Sequence, residues 1–151
     1  MPLTFPRSTL FMIAFAVTHC LGCSNKPDWH ADTFPVTGTV TINGSPPLNA
    51  FLVLHTTDGS RLDSRGTTPT AIVDEKGDYS FTTYQKSDGA PVGQFALTLH
   101  WPMSLTSPDA IDRLGEKYAD PAKPLMNVDV IRGKNVIPPI DLKNVKVLPQ
   151  K

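Results

Sequence analysis

Hydrophobic and polar residues alternate with a period of two along several short stretches of the chain. The stretch 36–42, VTGTVTI, places a threonine at every second position, and the stretch 94–101 alternates in the same way. Because successive side chains of a β-strand point to opposite faces, this pattern predicts strands with one buried and one solvated face. In the second stretch, the residues expected to face inward are Phe95, Leu97, Leu99 and Trp101, and those expected to face solvent are Ala96, Thr98 and His100.

Further strands follow from apolar runs that are separated by turn residues. The run Ala50–His55 is nearly continuous and predicts a strand buried on most of its surface. Segments 71–73 and 79–82 flank Asp74–Asp78, which predicts a β-hairpin with Gly77 at positive φ. Segments 126–131 and 136–142 predict two more strands. About seven strands indicate an all-β fold, a seven-stranded antiparallel Greek-key β-sandwich. Its predicted core is Val36, Val40, Leu52, Leu54, Tyr79, Phe81, Phe95, Leu97, Leu99, Val128, Val130, Ile140 and Leu142.

The segment between Pro102 and Pro124 interrupts this strand pattern. Ser107, Pro108 and Asp109 are the residue types of an N-cap, a first helical position and an acidic first turn. Apolar residues then recur at helical spacing, at Ile111, Leu114 and Tyr118, with Gly115 near the end. The sequence therefore predicts a long loop or a short helix near residues 104–120.

The first 22 residues have the composition of a secretory signal peptide. Arg7 is the one charged residue among residues 1–9, and the apolar run Leu10–Val17 follows it. That run is far shorter than the ~20 residues that a membrane-spanning helix requires. A cationic start, a short apolar run and small residues after it predict export of the chain and removal of residues 1–22.

Both cysteines lie at the end of this segment, in Cys20-Leu21-Gly22-Cys23. These residues resemble the lipobox of bacterial lipoproteins, in which cleavage after a small residue leaves a diacylglyceryl-modified Cys at the mature N-terminus. The resemblance implies cleavage between Gly22 and Cys23 and lipidation of Cys23. Cys20 stands where that pattern usually has Leu, so cleavage by the general signal peptidase remains an alternative. A redox or zinc C-x-x-C motif would need a folded βαβ context or further ligands, and neither follows in the sequence.

These features divide the chain into a signal peptide (1–22), a lipidated N-terminus with a flexible tether (23–33) and a β-sandwich domain (34–146). We therefore expect the chain to be exported and anchored by lipid to a bacterial membrane, at the periplasmic face or the cell surface.

The sequence has 14 Lys and Arg residues and 14 Asp and Glu residues, so its formal net charge is zero. This excludes a nucleic-acid-binding protein that depends on an excess of positive charge. Fifteen prolines and ten glycines also disfavour a helical protein.

Three motifs resemble a known family. The string Val36–Leu54, the turn Asp74–Phe81 and the strand Pro91–Leu99 are similar to the carboxypeptidase regulatory-like domains, which have a transthyretin-like sandwich. The segment from Lys117 through Leu142 resembles small single-domain lipoproteins of planctomycete-type bacteria. The matching positions are turn and core residues, so the resemblance implies a fold and no chemistry. The Tyr-Arg-Gly-Ser-type ending of transthyretin-like hydrolases is lacking, since the chain ends VLPQK.

Catalytic and metal-binding patterns are weak in this sequence. None of the four histidines lies close to another in sequence or within a recognised ligand motif. Asp74, Glu75 and Asp78 miss the calcium-loop spacing and fit a polar turn. No serine lies in a G-x-S-x-G elbow. We therefore predict no catalytic residue, no cofactor and no metal site, and a melting temperature that EDTA, Ca²⁺ and Zn²⁺ leave unchanged.

Trp101 and the adjacent His100 are the candidates for ligand contact, because aromatic side chains stack on sugars and pack at interfaces. The phase of Trp101 favours a place in the core or at the end of the sandwich. Trp29 lies in the tether and could dock on the domain, rest at the membrane interface or have no role. Two functions remain open. The first is a non-enzymatic, lipid-anchored structural or interaction module of the envelope, whose partner is an unknown envelope protein or glycan. The alternative is a secreted carbohydrate- or peptide-binding module.

Overall fold

The computed structural model describes Met1 and residues 27–107 and 110–149. The predicted apolar run, Gly22, both cysteines, Pro108 and Asp109 lie outside these residues. The described strands are β1 (Thr33–Phe34), β2 (Val36–Ile42), β3 (Phe51–Thr56), β4 (Thr70–Ile72), β5 (Asp78–Ser80), β6 (Ala90–Pro91), β7 (Gly93–His100), β8 (Met126–Val130), β9 (Asn135–Val136) and β10 (Ile140–Leu142).

Two sheets and a small two-stranded ladder make up the all-β fold. One sheet has the order β4-β3-β7-β8 and is antiparallel throughout, and β1 pairs with β6. In the other sheet β2 lies between β5, which is antiparallel to it, and β9 and β10, which are both parallel to it. The expected single strand over 136–142 is therefore two strands. Pro138 and Pro139 separate them, because proline has no backbone N–H to donate to a ladder.

The two sheets share one hydrophobic core, which gives the molecule the arrangement of a β-sandwich. Every predicted core residue belongs to this core, and all of them are buried except Leu142, which is partly buried. Phe81, Phe95 and Leu97 are among its largest fully buried side chains. The period-two pattern of the sequence thus identified the inward positions correctly.

The outward positions of β7 were predicted wrongly. Ala96 and Thr98 are 5% and 3% exposed, although their alternation with large apolar residues predicted a solvated face. β7 is flanked by β3 and β8, and its small side chains lie beside the larger Val53 and His55 of β3. The His55 Nε2 atom lies 3.0 Å from the Thr98 Oγ1 atom, within hydrogen-bond distance. Neighbouring side chains, rather than a second apolar face, therefore exclude water from this surface.

The segments that flank the turn Asp74–Asp78 are joined by antiparallel backbone hydrogen bonds at both ends, between Asp74 and Asp78 and between Thr70 and Thr82. Between these ends they separate, because β4 pairs with β3 and β5 pairs with β2, so the turn leads from one sheet to the other. Gly77 has the expected positive φ, 87°. The Asp74 carboxylate accepts hydrogen bonds from the backbone N–H groups of Lys76 and Asp78, at 2.8 and 2.9 Å. The turn was predicted correctly, and the predicted pairing of its flanking segments holds at their ends but not between β4 and β5.

Residues 102–107 and 110–124 form a loop that contains no helix. The loop folds back on itself, because the Met103 N–H donates to the Ile111 carbonyl at 3.0 Å and the Arg113 N–H donates to the Trp101 carbonyl at 2.8 Å. Of the two predicted alternatives the structure thus has the loop. No helix within the described ranges is both long enough and apolar enough to span a bilayer.

Candidate functional site

The loop is fastened to the end of β7 by one buried carboxylate. The Asp112 side chain is fully buried. Its Oδ1 atom accepts hydrogen bonds from the N–H groups of Trp101 and Leu114, at 2.8 and 3.2 Å. Its Oδ2 atom accepts from the N–H of Glu116 at 2.8 Å, in a turn where Gly115 and Glu116 both have positive φ. Asp112 thereby fixes the position of Glu116 relative to the strand end.

His100 lies between this carboxylate and a second one. Its Nδ1 atom is 3.9 Å from Asp112 Oδ1 and 3.9 Å from Glu116 Oε2. One nitrogen and two carboxylate oxygens of these residues lie within 4.8 Å of one another. The histidine side chain is 34% exposed and the glutamate side chain 67% exposed, so the group opens to solvent on one side. We refer to His100, Asp112 and Glu116 as the His-Asp-Glu cluster.

Sequence reasoning missed this cluster. The sequence identifies no carboxylate neighbour for any histidine, whereas the structure places Asp112 and Glu116 beside His100. Asp112 and Glu116 follow it by 12 and 16 positions, and the fold-back of the loop brings them to it. The four-residue spacing of the two acids was the available signal. It could not be used without knowing that the loop returns to the end of β7.

Trp101 closes the end of the core beside the cluster. Its ring is partly buried against the core, and its indole N–H donates to the Leu48 carbonyl at 3.0 Å. The Arg113 guanidinium lies 3.9 Å from the ring centroid, and the Arg113 Nε donates to the Leu148 carbonyl at 3.1 Å. A cation over an aromatic face contributes about 0.5–1 kcal/mol at exposed sites. One face of the indole is thus covered from within the chain.

The other described histidines have different surroundings. Burial lowers the pKa of His55, so its ring is neutral at pH 7 where it contacts Thr98. His30 stacks on Tyr84, with the ring centroids 4.0 Å apart and the planes at 11°. The structure therefore brings together one histidine with two acids and leaves these two histidines apart from them.

The segment that precedes the sandwich docks on it. Trp29 packs edge-on against Tyr84 at 5.7 Å, and the Arg65 guanidinium lies 4.0 Å from the Trp29 ring centroid. The Ala31 N–H donates to the Tyr84 hydroxyl at 3.1 Å. β1 then pairs with β6. Residues 23–33 were predicted to form a flexible tether. The part from Trp29 onward instead contacts the domain, and residues 23–26 lie outside the described ranges.

Surface depressions also lie away from the His-Asp-Glu cluster. One, of about 540 Å³, adjoins the docked segment and is lined by Phe34, Tyr84 and Arg132 among others. Another, of about 920 Å³, lies along β2, β4 and β5. The Tyr79 hydroxyl is buried there without a hydrogen-bond partner, and burial raises the pKa of this phenol.

Comparison with known proteins gives little beyond this geometry. No protein-family model and no curated protein matches the chain. Among solved structures it is similar to the crystal structure of a DUF3823 family protein from Parabacteroides merdae ATCC 43184, with 16% sequence identity and a TM-score of 0.39. The similarity covers 78% of this chain and 48% of the other, so the chain spans about half the length of that protein. A likeness this distant carries no argument about function.

Proposed function

We propose that this protein is a non-enzymatic, lipid-anchored module of the bacterial envelope that presents a β-sandwich at a short, defined distance from the membrane. The observation that carries the proposal is the docking of the segment at Trp29, six residues after Cys23. Six residues span at most ~22 Å when fully extended. With lipid on Cys23, the sandwich would therefore stay within that distance of the bilayer and present one end to it.

The finer assignment of the fold belongs to the same proposal. We infer a transthyretin-like Greek-key domain of the carboxypeptidase regulatory-like kind, with supporting motifs at Val36–Leu54, Asp74–Phe81 and Pro91–Leu99. Such a domain would be an exported structural or interaction module whose partner is an envelope protein or a glycan.

The alternative, a secreted carbohydrate- or peptide-binding module, has one observation in its favour. Phe34, Tyr84 and Arg132 line the depression of about 540 Å³. However, Tyr84 already stacks on His30, and Arg132 lies 5.9 Å from the Phe34 ring centroid. Because these aromatic side chains already have partners within the chain, the anchored module is the better-supported function.

The lipid anchor is tested by labelling the full chain with palmitate in a bacterial host. The unaltered protein and the Cys20→Ser variant should both incorporate label and partition into detergent, since Cys20 belongs to the discarded signal. The Cys23→Ser variant should lose both properties, because stable anchoring takes more than one acyl chain and all of the expected acylation requires Cys23. Label that persists in Cys23→Ser would refute the proposed anchor.

The docked segment gives an independent prediction. Trp29→Ala removes the ring that contacts Tyr84 and Arg65, so the segment should open more often without loss of the core. We expect hydrogen exchange of the Ala31 and Phe34 amides to accelerate at least tenfold, with an unchanged global melting temperature. Leu105→Ala, which removes an exposed apolar side chain outside the docked segment, is the control and should change neither quantity. Unaltered exchange in Trp29→Ala would mean that the ring does not hold the segment.

A further inference from the structure

We propose that the His-Asp-Glu cluster binds a divalent transition-metal ion of the Zn²⁺ type. This site goes beyond the proposed envelope function and does not depend on lipidation. It also reverses the expectation from the sequence that the protein has no metal site, because the fold brings together ligands that the sequence separates.

The spacing of the three side chains is close to that of a metal site. Zn²⁺ binds histidine nitrogen and carboxylate oxygen at about 2.0–2.2 Å, so two ligand atoms around a tetrahedral ion lie ~3.4 Å apart. The His100 nitrogen is 3.9 Å from each of the two oxygens. The two carboxylate oxygens lie within 4.8 Å of each other, so binding would need a contraction of about half an ångström between the histidine and each oxygen, and of up to about 1.4 Å between the carboxylates. The side chain that must move most is that of Glu116, which is 67% exposed and free to turn.

The charge of the cluster is a second and separate reason. The Asp112 carboxylate is fully buried, and buried charges in proteins are usually paired or bound to a metal. Within the described ranges, neither Asp112 nor Glu116 has a lysine or arginine nitrogen within 4.0 Å. Arg113 is adjacent in sequence, but its guanidinium lies over the Trp101 ring. Three backbone N–H groups and the His100 ring, 3.9 Å away, are thus the groups that face the buried carboxylate, and a divalent cation bound to all three side chains would balance both carboxylates.

The surroundings also orient the carboxylate as a metal ligand requires. Hydrogen bonds from Trp101, Leu114 and Glu116 fix both Asp112 oxygens. Hydrogen bonds to a ligating carboxylate are a regular part of metal sites, and their loss typically costs 10–100-fold in metal affinity. Imidazole with two carboxylates suits Zn²⁺ better than Cu⁺, which prefers sulfur, or Ca²⁺, which prefers oxygen alone. Three protein ligands leave a coordination position open to water.

The test is calorimetric titration of Zn²⁺ into the full chain, purified in detergent and stripped with EDTA beforehand. We expect one saturable site, and a dissociation constant at least tenfold higher in His100→Gln and in Glu116→Gln. Both variants alter solvent-accessible side chains, and Glu116→Gln retains the backbone N–H that donates a hydrogen bond to Asp112. Glu75→Gln, in the exposed turn between β4 and β5, is the matched control and should bind as the unaltered protein does.

A second readout locates the ion. The ring resonances of His100 should shift in the ¹H–¹⁵N spectrum with one equivalent of Zn²⁺, while those of His55 stay in place. Absence of binding would show that Asp112 only organises the loop, and would overturn the proposal. Binding that survives unchanged in both His100→Gln and Glu116→Gln would also overturn it, because the ion would then lie elsewhere, for example at unmodified Cys20 and Cys23.

Discussion

Leu97→Ala is expected to lower the free energy of unfolding by about 2–5 kcal/mol, because it leaves a cavity in a close-packed interior. Leu97 lies at the middle of β7, the strand that pairs with both β3 and β8, and it has no exposed surface. Its neighbours are held by two ladders, so they have little freedom to collapse into the space. Urea denaturation of the full chain measures the loss as a shift of the midpoint at constant slope.

Two variants of the same sheet calibrate this result. Ile72→Ala deletes a similar number of atoms from a half-exposed residue on the edge strand β4, and should cost about 0.5 kcal/mol or less. Thr98→Ala should cost about 1–2 kcal/mol, because it removes a buried hydroxyl that lies within hydrogen-bond distance of His55. Equal losses for Leu97→Ala and Ile72→Ala would contradict the assignment of β7 to the centre of the sheet.

Gly89→Ala is expected to cost about 3 kcal/mol or more, from two separate effects. Gly89 has φ of 88°, a region in which an L-residue is strained by roughly 1–2 kcal/mol. In addition, a Cβ atom there would collide with the carbonyl group of Phe34. Because Phe34 pairs with Ala90, the neighbour of Gly89, relief of the collision would separate β1 from β6. The measurement is again denaturant unfolding.

Gly44→Ala separates the two effects. Gly44 has φ of 81°, but an added Cβ would have no atom within 4 Å. This variant should therefore show only the backbone strain, about 1–2 kcal/mol. If Gly89→Ala lowers the free energy of unfolding by no more than Gly44→Ala does, the close approach of Phe34 does not contribute to the cost. A greater loss, accompanied by faster hydrogen exchange in residues 31–34, is the expected result.

The parts of the fold that the sequence predicted are those set by residues close together in the chain. Alternation located β2, β7 and β8, and a continuous apolar run located β3, because the burial pattern of a strand is set by residues that are close in sequence. Gly77 was placed correctly at positive φ for the same reason. Which strands pair with each other was harder to predict from the sequence. The segments around Asp74–Asp78 look like a hairpin locally, and only the rest of the core assigns them to different sheets.

The candidate site depended on long-range folding in the same way. His100 was identified as a candidate because it ends a strand beside Trp101, but its carboxylate neighbours come from a loop with no regular period. Asp112 was not singled out, since a buried aspartate in a turn has the same local appearance as an exposed one. The role of Asp112 becomes visible only when the three backbone N–H groups that donate hydrogen bonds to it are located.

The position of β2 between strands from distant parts of the chain affects how the protein is made. Val40 of β2 pairs with Ile140, one hundred residues later, and the Asn43 side chain bonds to the backbone of Val145. Such contacts give a high contact order, and chains rich in them fold slowly. During translation β2 therefore lacks its neighbours on one side until the ribosome has released Leu142. A chain secreted as proposed above would meet the export machinery before its sandwich could close.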